Sequence, residues 1–492
     1  MTTAIPRSAV PADSIASLAL TWKRLVNRYL PLLALLAALL AMLLLFNNPE
    51  RLPLFLVVVA PTLLLLALAG QQPAQGLPVF SLYVLLQALS FASPLFAAVI
   101  NADRRVQITP DLLDSCLLPL LIWFGALWAG WALTPAQLGR QRPGQPLTSS
   151  LRNPGTLPHI SLALAAGLQL LLNSPFYWQL PGALSQGLLT PIRTLISLAS
   201  ITGAFTGAYA WAQGRLPNRG LWLVLLAVPL VSSLGSLLLS SLQGMIFALL
   251  LGLWLGRSRR ALAITLVGLL LLAFLNQGKM AMRELYWQGG APLPSNPVVL
   301  LQQWTAASLS AFAAGPKAGS NLFTDRFNNL QNLLYVQQQL EAGTPPLGGE
   351  SLSAIPQALV PRFLNPNKVR SQEGQVLLNL HFGRQRSVED TTKAYIAWGF
   401  LAEGVGNFGS SFGPLLMGLV TGCLLRITEN LGRGQLILST PGLLSLALTM
   451  FWLTTYEMAA STFAAAVFQI VVVVLLVGWW FGRQPASSRR LA

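Results

Sequence analysis

The chain has 492 residues, 54% of them hydrophobic and only 9% charged, with a mean hydropathy of +0.59; a soluble chain carries about a quarter charged residues, so a soluble multidomain protein is excluded. Its 31 Lys and Arg against 15 Asp and Glu leave a net charge of +16, and because the basic residues gather at the ends of apolar stretches they weigh against nucleic-acid binding. Cys116 and Cys423 both lie in apolar stretches, which excludes a disulfide scaffold and weighs against a thiolate metal site.

A helix needs about 20 apolar residues to cross the hydrocarbon core, so the charge-free intervals predict the elements in chain order. After the basic approach of Lys23, Arg24 and Arg28, Tyr29 to Pro49 predicts a span. It is not a cleaved signal, because PLLALLAALLAMLLLF is followed by further spans and not by a small-residue cleavage site. Arg51 to Asp103 leaves room for two helices separated by GQQPAQGLP, and Asp114 to Arg140 for one. Arg152 to Arg193 holds one more, with a loop containing NSPFYWQLPG, and Arg193 to Arg215 holds the sixth. Arg219 to Arg257 predicts a hairpin turning at VPLVSSLGS, and one span follows Arg260. Three more occupy Glu403 to Arg426, Arg433 to Glu457 and Glu457 to Arg483. The expectation is an all-α polytopic membrane protein of about 12 transmembrane helices. It divides into an N-terminal transmembrane bundle over 1–276, a large external loop over 277–402 between helices 9 and 10, and C-terminal helices over 403–492.

The positive-inside rule tests this count independently. With the N-terminus in the cytoplasm, seventeen basic residues fall inside, while the short outer loops hold only Arg51, Arg104 and Arg105, with Arg193 near a span end. The remaining ten all lie in the segment from about Gln277 to Trp398, which parity places outside; both termini are then cytoplasmic. That segment carries the amphipathic run NPVVLLQQWTAASLSAF, a second helical pattern in RFNNLQNLLYVQQQLEAG, and Pro/Gly breaks at TPPLGGE and VPRFLNPNK. Its apolar face predicts that it packs on the membrane domain, and its basic excess suits an anionic ligand at the bilayer surface.

The spans are nearly empty of ionisable groups, which weighs against an ion-coupled pump. His159 reads as an interfacial histidine, and Arg193 either as a snorkelling residue or as a ligand contact. Arg362, Lys368, Arg370, Arg384 and Arg386 crowd into 25 residues of the external loop. A guanidinium fork matches phosphate oxygens, so the cluster reads either as a pyrophosphate site or as a solvated basic face touching anionic lipid. Pro361 and Pro366 restrict the backbone around Arg362.

These residues resemble a known pattern. Gly348-Gly349-Glu350, a helical stretch ending in Pro361-Arg362, then Pro366 and Lys368, and finally Glu403, Asn407, Phe408 and Gly409 entering a span look like the Wzy-type oligosaccharide repeat-unit polymerases, over about 80 residues from Gly348 to Arg426. The resemblance implies a GT-C-like architecture in the bacterial inner membrane and a metal-independent glycosyltransferase without a cofactor. Its substrate would be a polyprenyl-pyrophosphate-linked oligosaccharide polymerised at the periplasmic face into a surface or exopolysaccharide. Membrane lipids, a flippase and a chain-length regulator are the implied partners. Arg362, with Lys368 or Arg370 and Arg384, would neutralise the departing pyrophosphate; Arg386, Arg193 and Asn407 complete the candidate substrate contacts. The candidate bases are His381, Glu403 and the pair Glu389/Asp390. For each a plainer role stands beside the catalytic one: a loop histidine for His381, a helix-N-terminal glutamate for Glu403, and a shaping role at the start of the span for Asn407. Tyr395, Trp398 and Trp304 read either as sugar-stacking residues or as an interfacial aromatic belt. An O-antigen ligase keeps the donor and changes the acceptor, but NLHFGR lacks the H-N-x-x-L pattern of that family. A non-enzymatic lipid-oligosaccharide flippase would spread basic residues over both halves of the bundle.

Overall fold

A computed structural model of the chain describes residues 15–72, 76–97, 100, 106–136, 155–173, 179, 182–234, 239–288, 290–291, 294, 296–313, 328–360, 365, 369–393 and 396–482. Among these residues every long regular element is a helix, and eight helices are long and apolar enough to cross a membrane. The chain is therefore a polytopic all-helical membrane protein.

Each charge-free interval of the sequence holds a helix. α1 (Ile15–Asn47), α2 (Leu52–Gln71), α3 (Val79–Ala92), α5 (Leu117–Leu133, after the short α4, Pro110–Ser115) and α6 (Leu157–Asn173) come first. α7 (Gly182–Ala212), the hairpin α8 (Arg219–Leu234) and α9 (Leu239–Leu255), and α10 (Ala261–Arg283) follow. The C-terminal helices are α16 (Phe400–Leu431), α17 (Thr440–Thr454) and α18 (Ala460–Gly482). Four of these, α6, α8, α9 and α17, have only 15 to 17 residues and, among the described residues, no adjoining short helix to lengthen them, whereas α5 (17 residues) is extended by α4 and α3 (14 residues) by a 3-10 turn over Ser93–Phe96; 17 residues span about 25 Å at 1.5 Å per residue against a core of about 30 Å. Several boundaries depart from the charge pattern. α1 begins upstream of Lys23, Arg24 and Arg28, α7 begins well before Arg193, and α10 runs on to Arg283 before a turn of π-helix over Glu284–Gln288. Charged side chains sit readily on the last turns of a span because their long stems reach the interface, so charge marks helix ends only to within a turn or two.

Small residues bring the helices together where lipid supplies no hydrophobic drive. On α16, Gly418 lies against Ala126 and the Trp123 carbonyl of α5, and Gly422 against the Leu127 carbonyl, while Gly130 of α5 meets the Leu419 carbonyl in return. A methyl group at Gly422 or Gly130 would overlap backbone oxygen. Gly252 of α9 and Gly256 just past its end pack in the same way on Phe205, Ala208 and Ala212 of α7. By contrast, Leu32, Leu35, Leu36, Leu39, Leu43 and Phe46 of α1 are all more than half exposed and recur at helical spacing, the mark of a lipid-facing stripe.

The far end of α16 is fixed by Glu429. Its Oε1 accepts from the Phe80 amide at 3.0 Å, in the first turn of α3, and its Oε2 from Trp131 Nε1 at 2.7 Å and Arg426 Nη1 at 3.4 Å. The Trp131 ring is stacked on Phe80 and carries the Arg426 guanidinium 4.6 Å from its centroid.

The segment between α10 and α16 contains α11 (Pro297–Ala313), α12 (Leu330–Glu341), α13 (Glu350–Leu359), α14 (Glu373–His381) and the short α15 (Val388–Lys393). α11 and α12 correspond to the two helical patterns of the sequence. α12 is packed into the bundle end between α3, α4 and α16, with Leu330, Leu333, Leu334, Tyr335 and Val336 buried. Its Gln337 donates to the Ser115 carbonyl at 2.9 Å and accepts from Ser410 Oγ at 2.7 Å. The segment thus closes one end of the helix bundle, referred to below as the loop end.

Candidate functional site

The loop end is organised by the first limb of α16. Gly399 (φ 75, ψ 154) and Gly409 (φ 79, ψ 176) both adopt conformations that essentially only glycine tolerates. They isolate Phe400 to Phe408 as a short helix that bends away from the rest of α16. The bend is tight: Gly413 lies against the carbonyl of Gly404, where a methyl group has no room. The predicted tenth span from Glu403 is corrected accordingly, because the helix breaks at Gly409. Ser410 to Leu431 remains, about 33 Å of helix and enough for the hydrocarbon core.

Glu403 and Asn407 stand one turn apart on the buried face of this limb. Glu403 is 0% exposed; its Oε1 accepts from Ser351 Oγ at 2.7 Å and its Oε2 from the Ala460 amide at 2.6 Å. Asn407 Nδ2 donates to Ser351 Oγ and to the Glu403 carbonyl, each at 2.8 Å, and its Oδ1 accepts from the Gly349 amide at 3.1 Å. The amides of Leu347 and Gly348 donate to the carbonyls of Gly406 and Asn407, both at 2.9 Å. The Gly-Gly-Glu and Glu-x-x-x-Asn-Phe-Gly elements of the sequence are therefore one interlocked unit. In place of a cavity-facing carboxylate or an acid serving its own helix, Glu403 is the cap of another helix, α18: full burial puts both oxygens onto protein donors.

Three helix N-termini meet there. Ser351, Gly374 and Ser461 are the second residues of α13, α14 and α18. The Gly374 amide donates to Ser461 Oγ at 3.3 Å, and a Cβ at position 374 would lie 2.6 Å from the Ser351 carbonyl oxygen. Thr462 Oγ1 donates to the Ser371 carbonyl at 3.1 Å, which ties the chain just before α14 to the same point. The amide-rich ends of helices favour the oxygens of a carboxylate, and Glu403 places two there, with burial pushing its pKa up to about 7. At the edge of this junction stands Arg370, whose Nη1 is buried and has no hydrogen-bond partner among the described residues.

The other candidate residues fall into different surroundings. Arg384 is 5% exposed, donates from Nη1 to Asn332 Oδ1 at 2.8 Å, and has its guanidinium carbon 5.1 Å from the Tyr335 ring centre and 5.7 Å from that of Trp398. This corrects the pyrophosphate role expected for it: the guanidinium is enclosed by aromatic rings and serves packing within the segment. Trp398 and Trp304, both 0% exposed, are likewise corrected from sugar-stacking candidates to core residues. Trp398 Nε1 donates to Asn379 Oδ1 and Trp304 Nε1 to the Leu275 carbonyl, each at 2.8 Å. His381 is partly exposed; its Nε2 lies 2.7 Å from the Pro345 carbonyl, which makes that nitrogen the donor. Arg386 and Arg193 are exposed, the latter on α7 away from the segment. Glu389 and Asp390 occupy the first turn of α15, where acids suit the helix dipole. His159 approaches the Asn218 carbonyl at 3.3 Å, at the turn between α7 and α8. Arg362 and Lys368, with Pro361, Pro366 and Tyr395, lie outside the described residues.

Two contributors were not singled out by sequence pattern. Ser351 follows the Gly-Gly-Glu element and gave no signal of its own. Glu457 marked only a boundary between two spans, although a lone acid in an otherwise uncharged stretch from Arg433 to Arg483 is itself a signal of function or of a specific partner. Among the described residues, no three His, Cys, Asp or Glu side chains come together as a metal-ion group. No protein-family profile matches the chain, and neither a curated protein nor a solved structure is significantly similar to it.

Proposed function

We propose that the chain is a Wzy-type polymerase, which joins polyprenyl-pyrophosphate-linked oligosaccharide repeat units at the periplasmic face of a bacterial inner membrane. The observation that supports this most directly is Arg370: a buried guanidinium nitrogen without a hydrogen-bond partner among the described residues, beside three converging helix N-termini. It stands at the end of the segment that carries Arg362 and Lys368. Cationic forks and helix amide ends are the groups that hold a diphosphate and stabilise it as it leaves. In this reading Arg362, Lys368 and Arg370 take the donor's diphosphate. The Glu403–Ser351–Asn407 network fixes the platform against which they work, and His381 and Arg386 line the more exposed side of the segment.

The test uses purified protein in proteoliposomes with a synthetic polyprenyl-diphosphate repeat unit, without added nucleotide. A ladder of products spaced by one repeat unit is expected. Transfer of a single glycan to a lipid A core acceptor, without a ladder, would replace polymerase by ligase; movement of intact substrate between leaflets without new glycosidic bonds would replace it by flippase.

A further inference from the structure

The reaction proposed above needs a group to take the proton from the acceptor hydroxyl, and the network around Glu403 does not offer one. Glu403 is 0% exposed and both its oxygens hold protein donors. Its neighbour across the α17–α18 connection is placed differently. Glu457 is partly exposed; its Oε1 accepts from the Tyr456 hydroxyl at 2.7 Å, and among the described residues its other oxygen accepts no hydrogen bond. The dyad's backbone is pinned on both sides. The Glu457 carbonyl accepts from the Gly399 amide at 2.8 Å, and the Tyr456 carbonyl from Asn329 Nδ2 at 3.4 Å. Glu457 precedes by three residues the Ala460 amide that Glu403 caps, and Ser461 and Thr462 bond to the chain around Arg370 to Gly374. A partly exposed carboxylate, oriented by a phenol and fixed to the platform that carries Arg370, is the arrangement a general base requires.

Resting on the polymerase reading, we infer that Glu457 is the general base of the transfer and Tyr456 the residue that positions it. The Glu457 carboxylate takes the proton of the acceptor sugar hydroxyl. The freed oxygen forms its new bond to the donor's anomeric carbon, while the bond from that carbon to the diphosphate oxygen breaks and its electron pair departs with the polyprenyl diphosphate. The proton is then lost from Glu457 to water, restoring the carboxylate.

The experiment compares wild-type, E457Q, E457A and Y456F proteins in the proteoliposome assay, with thermal unfolding in detergent as a control for folding. For E457Q, kcat should fall by about 100-fold or more, with donor KM changed by less than about threefold. High formate should restore part of the rate to E457A, a rescue that a merely structural role would not allow, and should do nothing for Arg370→Ala. E457Q retaining kcat within about threefold of wild type, or E457A immune to formate, overturns the inference and leaves the polymerase reading standing. If wild-type protein forms no ladder, that reading fails, and the base with it. Should E457Q not fold, Y456F decides: about a tenfold loss of kcat at unchanged donor KM supports the role, and an unchanged kcat overturns it.

Discussion

Ser351→Ala is the sharpest test of the loop-end network, because one hydroxyl holds two partners. Ser351 is fully buried; its Oγ donates to the Glu403 carboxylate at 2.7 Å and accepts from Asn407 Nδ2 at 2.8 Å. At a pH well above the value of about 7 to which burial raises the Glu403 carboxyl, removing a hydrogen bond to this buried charged group costs about 1.5–3 kcal/mol, and a neutral one about 1 kcal/mol. Asn407 Nδ2 keeps its second acceptor, the Glu403 carbonyl, so the neutral loss stays at the lower end. Glu403 keeps only the Ala460 amide. The sum is about 3 kcal/mol, to be read by denaturant unfolding of the detergent-solubilised protein. Ser353→Ala is the control: that hydroxyl is exposed and bonds only the Glu350 carbonyl one turn back in its own helix, so its loss should cost less than about 0.5 kcal/mol. A double-mutant cycle of Ser351→Ala with Asn407→Ala should be non-additive by more than about 0.5 kcal/mol, as for residues of one network. If Ser351→Ala costs no more than the control, the network does not hold the segment to α16 and the reasoning is refuted.

Gly409→Ala forces a side chain into a conformation that essentially only glycine adopts, at a cost of about 1–3 kcal/mol; limited proteolysis should report the segment loosened from the bundle, and unchanged resistance would remove the hinge. Gly422→Leu drives a side chain into the Leu127 backbone of α5, so the variant should lose most of its folded yield in detergent by size-exclusion chromatography, while Leu substituted at Gly220, where a Cβ meets nothing within 4 Å, should be tolerated. Arg362→Ala should abolish long product in the ladder assay at unchanged membrane level, with Arg362→Lys restoring only part because a point charge cannot replace the planar fork; wild-type product from the alanine variant removes that assignment.

The helices were legible because their signal is a one-dimensional count: apolar length between charges. Where the chain departed from the count, the cause was local chemistry that the count ignores. The bend at Gly409 was written in the Gly-x-Gly-x-x-Gly-x-x-x-Gly spacing from Gly404 to Gly413, but its meaning depends on a sharp turn that brings Gly413 onto Gly404. The basic cluster from Arg362 to Arg386 was visible as density, yet density cannot distinguish Arg384, held between Tyr335 and Trp398, from Arg370, whose Nη1 lacks a partner among the described residues. That difference comes from aromatic residues lying about 50 residues upstream and 14 downstream in the chain. Glu403 was visible as an acid at the start of a helix, and the sequence offered its own helix dipole as the plainer reason. The dipole it serves belongs to α18, 57 residues away, a pairing that only folding creates.

The same chemistry recurs at the opposite end of α16. Glu403 caps α18 and Glu429 caps α3, each with a buried carboxylate on the amide of a first-turn residue. The Gly409 bend stands between the two: Glu403 fixes the short limb Phe400 to Phe408, and Glu429 fixes the far end of the long limb Ser410 to Leu431. Each limb of α16 therefore has an anchor of its own, so loosening one leaves the other in place.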